Sequence, residues 1–161
     1  MPAPAPTRRS VLAAGVSACA ACLLAGCGGS TAGGRAGDDA TIPTLATGPV
    51  DVGPAADFAA ERIYDRWADK GFFVVRRGRR VFAVSSVCTH KHVLLDASGS
   101  DFGCPRHGSV FTPEGDVVKA PAQFPLPRHA IRLTPEGRIV VDPTVRFDKG
   151  RWADPAAVVM L

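Results

Sequence analysis

Cys88-Thr89-His90-Lys91-His92-Val93-Leu94-Leu95 and Cys104-Pro105-Arg106-His107-Gly108-Ser109 each set a thiol beside an imidazole, Cys88 with His90 and Cys104 with His107. Thirteen residues separate His90 from Cys104, and that stretch, KHVLLDASGSDFG, reads as loop. A lone Cys or His is most often a core or surface residue without a role. Four of them at C-x-H and C-x-x-H spacing, in Gly- and Pro-containing loops, point to one shared inorganic centre. Two other readings of these residues stay open at this point. Cys88 and Cys104 can pair as a disulfide in an oxidising compartment. The four side chains also make a Cys₂His₂ zinc set. Zinc fingers, however, usually pair Cys with Cys in one knuckle and His with His on a helix. Here each loop carries a mixed pair, and neither loop lies on a recognisable helix.

Outward from the two loops, short apolar runs alternate with turns. Phe72 to Val75 and Val81 to Val84 flank Arg76-Arg77-Gly78-Arg79. Ser109 to Thr112 and Val117-Val118 flank Pro113-Glu114-Gly115-Asp116, and Ala130 to Leu133 and Ile139 to Val141 flank Pro135-Glu136-Gly137-Arg138. Repeated strand–turn–strand units predict a small antiparallel all-β domain. Asp57 to Asp69 has weak periodicity and reads as a short helical or irregular insertion. The 17 Gly and 14 Pro agree with abundant turns and few long helices. Residues 143–161 read as a tail packed on the domain, with Phe147, Trp152 and Val158-Val159-Met160-Leu161 as its apolar contacts.

The N-terminus reads as an address rather than as fold. Arg8 and Arg9 precede an uncharged run from Val11 to Gly26, too short and too rich in Gly and Ala to span a bilayer, which takes ~20 apolar residues. Thr7-Arg8-Arg9-Ser10-Val11-Leu12 is similar to a twin-arginine export signal. Leu24-Ala25-Gly26-Cys27 is similar to a lipobox, in which Cys27 becomes the acylated N-terminus. Residues 1–27 are therefore expected to be a signal peptide with lipobox, and 28–40 a flexible Gly-rich tether with a reach of roughly 20 Å. Of five cysteines, Cys19 and Cys22 leave with the signal and Cys27 takes lipid, so only Cys88 and Cys104 remain for the domain at 41–142. Without Arg8 and Arg9 the chain holds 17 basic and 15 acidic residues, close to balance, with no basic stripe for nucleic acid.

The two loops resemble the cluster-binding boxes of Rieske iron–sulfur proteins. Those boxes read C-T-H-x-G-x and C-P-x-H-G-S, and here they stand as CTHKHV and CPRHGS. Leu95 falls at an apolar position of that family, and Ala120-Pro121-Ala122 resembles its proline loop. The resemblance spans about residues 49–141. It implies one 2Fe–2S cluster, with Cys88 and Cys104 on the buried iron and His90 and His107 on the outer one. It also implies a hydroxyl at Ser109 that bonds a bridging sulfide. The implied fold is an antiparallel β-sandwich base with a small cluster-binding subdomain at about 86–124. The implied function is one-electron transfer on the outer side of the cytoplasmic membrane, by a carrier with no substrate chemistry of its own. A cluster is built in the cytoplasm, and the twin-arginine route exports folded proteins, so cofactor and address agree.

The departures from the family pattern are specific. Respiratory members add one cysteine per box and link them, whereas Val93 and Arg106 stand at those positions. Phe111 replaces a Tyr whose hydroxyl bonds a cysteine sulfur. His92 replaces a Gly and reads as a loop side chain, and His129 reads as structural or exposed. Rieske oxygenases need a second domain with a mononuclear iron, for which this chain has neither space nor ligands. Expected partners are a redox protein or a membrane quinol-oxidising complex, with the membrane reached through the lipid anchor. The alternatives are the iron–sulfur subunit of a quinol–cytochrome c reductase, the small subunit of a molybdenum oxidoreductase, and, from another class, a zinc-stabilised binding module.

Overall fold

The computed structural model describes residues 45–161. The signal segment 1–27, with Arg8, Arg9 and Cys27, the tether 28–40 and the first residues of the domain lie outside them. Eleven strands and four short 3₁₀ turns make up the regular structure among the described residues. Every strand pair is antiparallel, as the strand–turn–strand repeats predict.

Two sheets divide the chain. The first runs β1 (Val50–Pro54), β10 (Arg138–Phe147), β9 (Arg128–Leu133), β4 (Arg80–Ser85), β3 (Phe72–Arg77) and β2 (Ile63–Tyr64). A seventh strand, β11 (Val159–Met160), lies beside the first half of β4, opposite Val81 and Arg80, while β9 pairs with Ala83 and Val84. The second sheet, inserted between β4 and β9, runs β5 (Asp96–Ser98), β6 (Asp101–Gly103), β7 (Val110–Phe111) and β8 (Val117–Lys119).

The hairpin β3–β4 is the hinge of the architecture, because both of its faces are buried. Side chains alternate across a strand. Phe72, Val74, Val81 and Ala83 enter one core with Val52, Ile131, Ile139 and Val141. Phe73, Val75, Phe82 and Val84 enter a second core with Phe102, Phe111, Leu126 and both cysteines. This double burial is why the two segments read as unbroken apolar runs rather than alternating ones. The first sheet curls round its own core. Phe58, just past β1 at one edge, packs on Tyr64 of β2 at the other edge, with ring centroids 4.9 Å apart. One sheet folded on itself thus supplies the sandwich-like base.

The second sheet docks on that base through side chains from both. The Phe73 and Phe102 rings stack at 4.6 Å, an arrangement worth about 0.5–1.5 kcal/mol beyond its area. At the β7–β8 turn, Glu114 meets Arg77 at 3.6 Å and Asp116 meets Lys149. Gly115 lies under them at φ +105, and an added Cβ would come within 3.1 Å of the Leu126 carbonyl oxygen. Beneath the turn, the buried Arg128 guanidinium lies 3.9 Å over Phe82 and 4.7 Å from Trp152. Burial lowers its pKa to about 10, so it stays charged, held between two aromatic faces.

At the C-terminus, β10 continues through position 143 to Phe147 instead of ending where the tail was expected to begin. A register shift between Asp142 and Arg146 takes up the irregularity at Pro143. Residues 148–161 then cross the base and end in β11, where the Leu161 N–H donates to the Arg79 carbonyl. The stretch 55–69 is irregular, with 3₁₀ turns at Ala55–Phe58 and Ala68–Lys70 around the two-residue β2.

Candidate metal centre

The first box leaves β4 through Ser86 and returns to β5. An isolated bridge between Val87 and Leu94 closes its neck, and the Leu95 N–H donates to the Ser86 carbonyl at 2.8 Å. Inside the neck, the Cys88 N–H donates to the Val93 carbonyl at 2.8 Å and the His92 N–H to the Cys88 carbonyl at 3.0 Å. The second box connects β6 to β7 and repeats this pattern. The Cys104 N–H donates to the Ser109 carbonyl at 2.8 Å, and the Gly108 N–H to the Cys104 carbonyl at 2.9 Å.

The two loops are thus conformational twins, each a cysteine followed by a five-residue turn. The residue four places after the cysteine has positive φ in both: +56 at His92 and +72 at Gly108. That explains the glycine in both family boxes, since the left-handed region disfavours residues with a Cβ. His92 is the one described non-glycine residue with positive φ. Its side chain is exposed in the loop, where the sequence placed it.

Two thiols and two imidazoles meet where the loops face each other. Cys88 and Cys104 are buried, 1% and 4% exposed, and both are free thiols, so the disulfide reading does not hold. Burial pushes the Cys88 thiol up. The N–H groups of His90 and Lys91, aimed at its sulfur, pull the other way, and the neighbouring Cys104 pushes it up again. On the solvent side, the His90 and His107 rings lie edge to face at 4.9 Å between centroids. His107 is exposed and His90 half-buried. The Nδ1 atom of His90 is buried and has no hydrogen-bond partner. Desolvation, then the charges of His107 and Lys91, hold this imidazole below its ordinary range, the neutral state a metal ligand needs.

This donor set has two layers, thiols inside and imidazoles outside. Among the described residues no three His, Cys, Asp or Glu side chains converge on a point that suits a single ion. A zinc ion would need four ligands within about 2.0–2.3 Å of one point. The orphaned Nδ1 of His90 and the paired free thiols fit a metal centre chemically.

Ser109 is fully buried next to the second loop, and its hydroxyl oxygen accepts from the Ala122 N–H at 3.0 Å. That bond ties the proline loop to the second box and leaves the hydroxyl hydrogen available to a further acceptor. Sequence reasoning singled out Ser109 but missed its bond to Ala122. It also missed Thr89, whose hydroxyl donates to the Phe124 carbonyl at 2.6 Å and ties the proline loop to the first box. Phe111 is fully buried in the second core, opposite Phe102 and Val117. His129 lies apart from the loops' hydrogen-bond pattern, on β9, buried and edge-on to Phe72 at 6.4 Å.

Known proteins share part of this sequence. The "Cytochrome b6-f complex iron-sulfur subunit" of Chlorobaculum tepidum is 35% identical over 78 residues, 46% of this chain and 42% of that protein. The protein of the same name from Prochlorococcus marinus (strain MIT 9312) is 29% identical over 99 residues, 59% of this chain and 54% of that one. The chain thus spans about half the length of the curated relatives it matches. The cyanobacterial plasma membrane Rieske protein PetC3 from Synechocystis PCC 6803 is 32% identical, with 57% of this chain and 97% of that chain covered, at a TM-score of 0.46. The Rieske [2Fe-2S] domain family matches residues 48–140, more than half of the chain. With the paired loops in place and that match across both of them, the chain belongs to the Rieske [2Fe-2S] domain family, and its cofactor is one 2Fe–2S cluster rather than zinc.

Proposed function

We propose that this chain is a one-electron carrier, exported and lipid-anchored on the outer face of the cytoplasmic membrane. When bound, the cluster supplies reversible one-electron chemistry. Cys88 and Cys104 would hold its inner iron and His90 and His107 its outer iron. The observation that carries this reading is the layering of the four side chains: thiols buried, imidazoles toward solvent, His107 exposed. Thiolates inside are shielded from water and from exchange. Neutral imidazoles outside lower the negative charge of the centre, which raises its potential, and place a conjugated ring where a partner can meet it. The N–H groups aimed at the Cys88 sulfur stabilise extra electron density there.

The anchoring rests on Arg8-Arg9, the uncharged run to Gly26 and the lipobox ending in Cys27. Among the described residues no helix is long and apolar enough to cross a membrane. Cys27→Ala should move the protein from the membrane fraction to the soluble fraction. Protein that stays membrane-bound at normal levels would refute the lipid anchor. Replacing Arg8-Arg9 by Lys-Lys should leave the protein in the cytoplasm, and export at normal levels would point to the general secretion route.

The curated relatives, iron–sulfur subunits of cytochrome b6-f complexes, favour a second reading, as the iron–sulfur subunit of a cytochrome complex. Val93 and Arg106, at the positions of the linking cysteines in respiratory members, weigh toward a separate carrier or the small subunit of a molybdenum oxidoreductase. Purification of the tagged, lipidated protein under mild detergent separates these readings by the haem or molybdenum content of what comes with it.

A further inference from the structure

The register of the second sheet sorts its charges. Asp96 pairs with Gly103, Gly103 with Val110, and Val110 with Lys119, so these four form one row across the sheet. All three loops leave from that row at the same end, where Leu95, Cys104, Ser109 and Ala120 each adjoin it. The exposed cations Lys91 and Lys119 therefore gather at the loop end, where Asp96 is the acid of the described sheet. The remaining acids of the sheet and its turns sit at the opposite end. Asp101 closes the β5–β6 hairpin, and Glu114 and Asp116 are engaged by Arg77 and Lys149 of the base.

Apolar surface accompanies these cations. Phe124 is 68% exposed and Val118 62%. The hydroxyl of Thr89 fixes the Phe124 backbone beside the first box. A cleft of about 1580 Å³ runs from Phe124 past that box to the base, and five Lys or Arg side chains line it against two aspartates, Asp96 and Asp148. An apolar centre with a rim of one sign is the composition of a transient docking face.

We propose that the loop end of the second sheet docks a redox protein through a carboxylate-rich face, with Phe124 at the centre and Lys91 and Lys119 on the rim. This rests on the carrier function above and names the chemistry of its partner. Attraction between the rim and an acidic face orients the partner over the exposed His107 before contact, which raises the encounter rate and makes it salt-dependent. One electron then leaves the reduced centre and one electron arrives on the partner, with no atom transferred.

The test uses the oxidised, ¹⁵N-labelled full chain and two redox-inert paramagnetic probes, hexacyanochromate(III) and hexaamminechromium(III). The anion should broaden the amide signals of Val118, Lys119 and Phe124 at roughly tenfold lower concentration than that of Arg132 on the base, and the cation should spare them. The double variant Lys91→Glu, Lys119→Glu should abolish this preference, whereas Arg132→Glu, with its own charge reversal, should not. Equal broadening of loop end and base, or broadening by the cation, would overturn the proposal. Protection of the same amides by phosphatidylglycerol vesicles would assign the face to a bilayer and overturn it too. A parallel arm follows oxidation of the reduced protein: ferricyanide should slow with added salt and tris(phenanthroline)cobalt(III) should accelerate. A chain without a visible cluster spectrum would fail this second arm alone, which separates failure of the carrier reading from failure of the docking face.

Discussion

Lowering the pH should destabilise this protein through one histidine outside the two cluster boxes. His129 on β9 is 4% exposed and its pKa is lowered to about 4, first by burial and then by the charge of Arg146. The carbonyls of Val145, Gly71 and Pro143 face the ring and act the other way, yet neither ring nitrogen makes a hydrogen bond of ordinary geometry. The folded state therefore prefers the neutral ring, while the unfolded chain protonates near pH 6.5. A depressed folded pKa on a histidine means that stability is fully present above about pH 6.5 and is lost as the pH falls toward 4. With these two values the loss is about 2 kcal/mol at pH 5 and about 3 kcal/mol at pH 4. Urea unfolding of wild type and His129→Phe at pH 7.5, 6, 5 and 4.5 measures it. The difference between the two proteins cancels other acid-sensitive groups, including release of the cluster. The wild type should lose about 2 kcal/mol more than the variant between pH 7.5 and pH 5. Parallel pH profiles would refute the reasoning, because His129 would then titrate alike in both states.

Two loop variants test the account further. Ser109→Ala should retain the visible spectrum and lower the midpoint potential within the family range of roughly −150 to +300 mV, since the buried hydroxyl is the donor available to a bridging sulfide; voltammetry with no shift would mean that the hydroxyl points elsewhere. The same change leaves the Ala122 N–H without its acceptor and should cost about 1–3 kcal/mol in denaturant unfolding. His92→Gly should stabilise the protein by about 0.5–1 kcal/mol, the relief of a left-handed residue less the extra chain entropy of glycine, and a lower unfolding midpoint would contradict the positive φ.

Much of this was legible in the sequence where the physics is local. The PEGD and PEGR turns placed two hairpins, and the spacing of Cys88, His90, Cys104 and His107 named four side chains that the fold brings to one place. Non-local features left weaker traces. Phe72 to Val75 reads as an apolar run, but nothing local says that alternate side chains serve two separate cores. The strands of the second sheet have only two or three residues, too few for a period, and the hydrogen bonds of the loops between them fix their register. Residues from 143 on read as a tail, yet β10 continues to Phe147 by shifting register against β9. His92 broke the family pattern in plain sight, and its meaning emerged only from the matching turn at Gly108. The charge sorting at the loop end needed the pairing of Val110 with Lys119, which no stretch of sequence contains.

The central claim is mixed ligation of one cluster by two thiolates and two imidazoles. Electron–nuclear double resonance on the dithionite-reduced holoprotein, grown with ¹⁵N-histidine, tests it directly. The account predicts a paramagnetic centre coupled to two histidine nitrogens. His92→Gly and His129→Phe should keep both couplings, and Cys104→Ala should abolish the centre. A centre without nitrogen coupling, or couplings that survive in a His107→Ala protein, would contradict it.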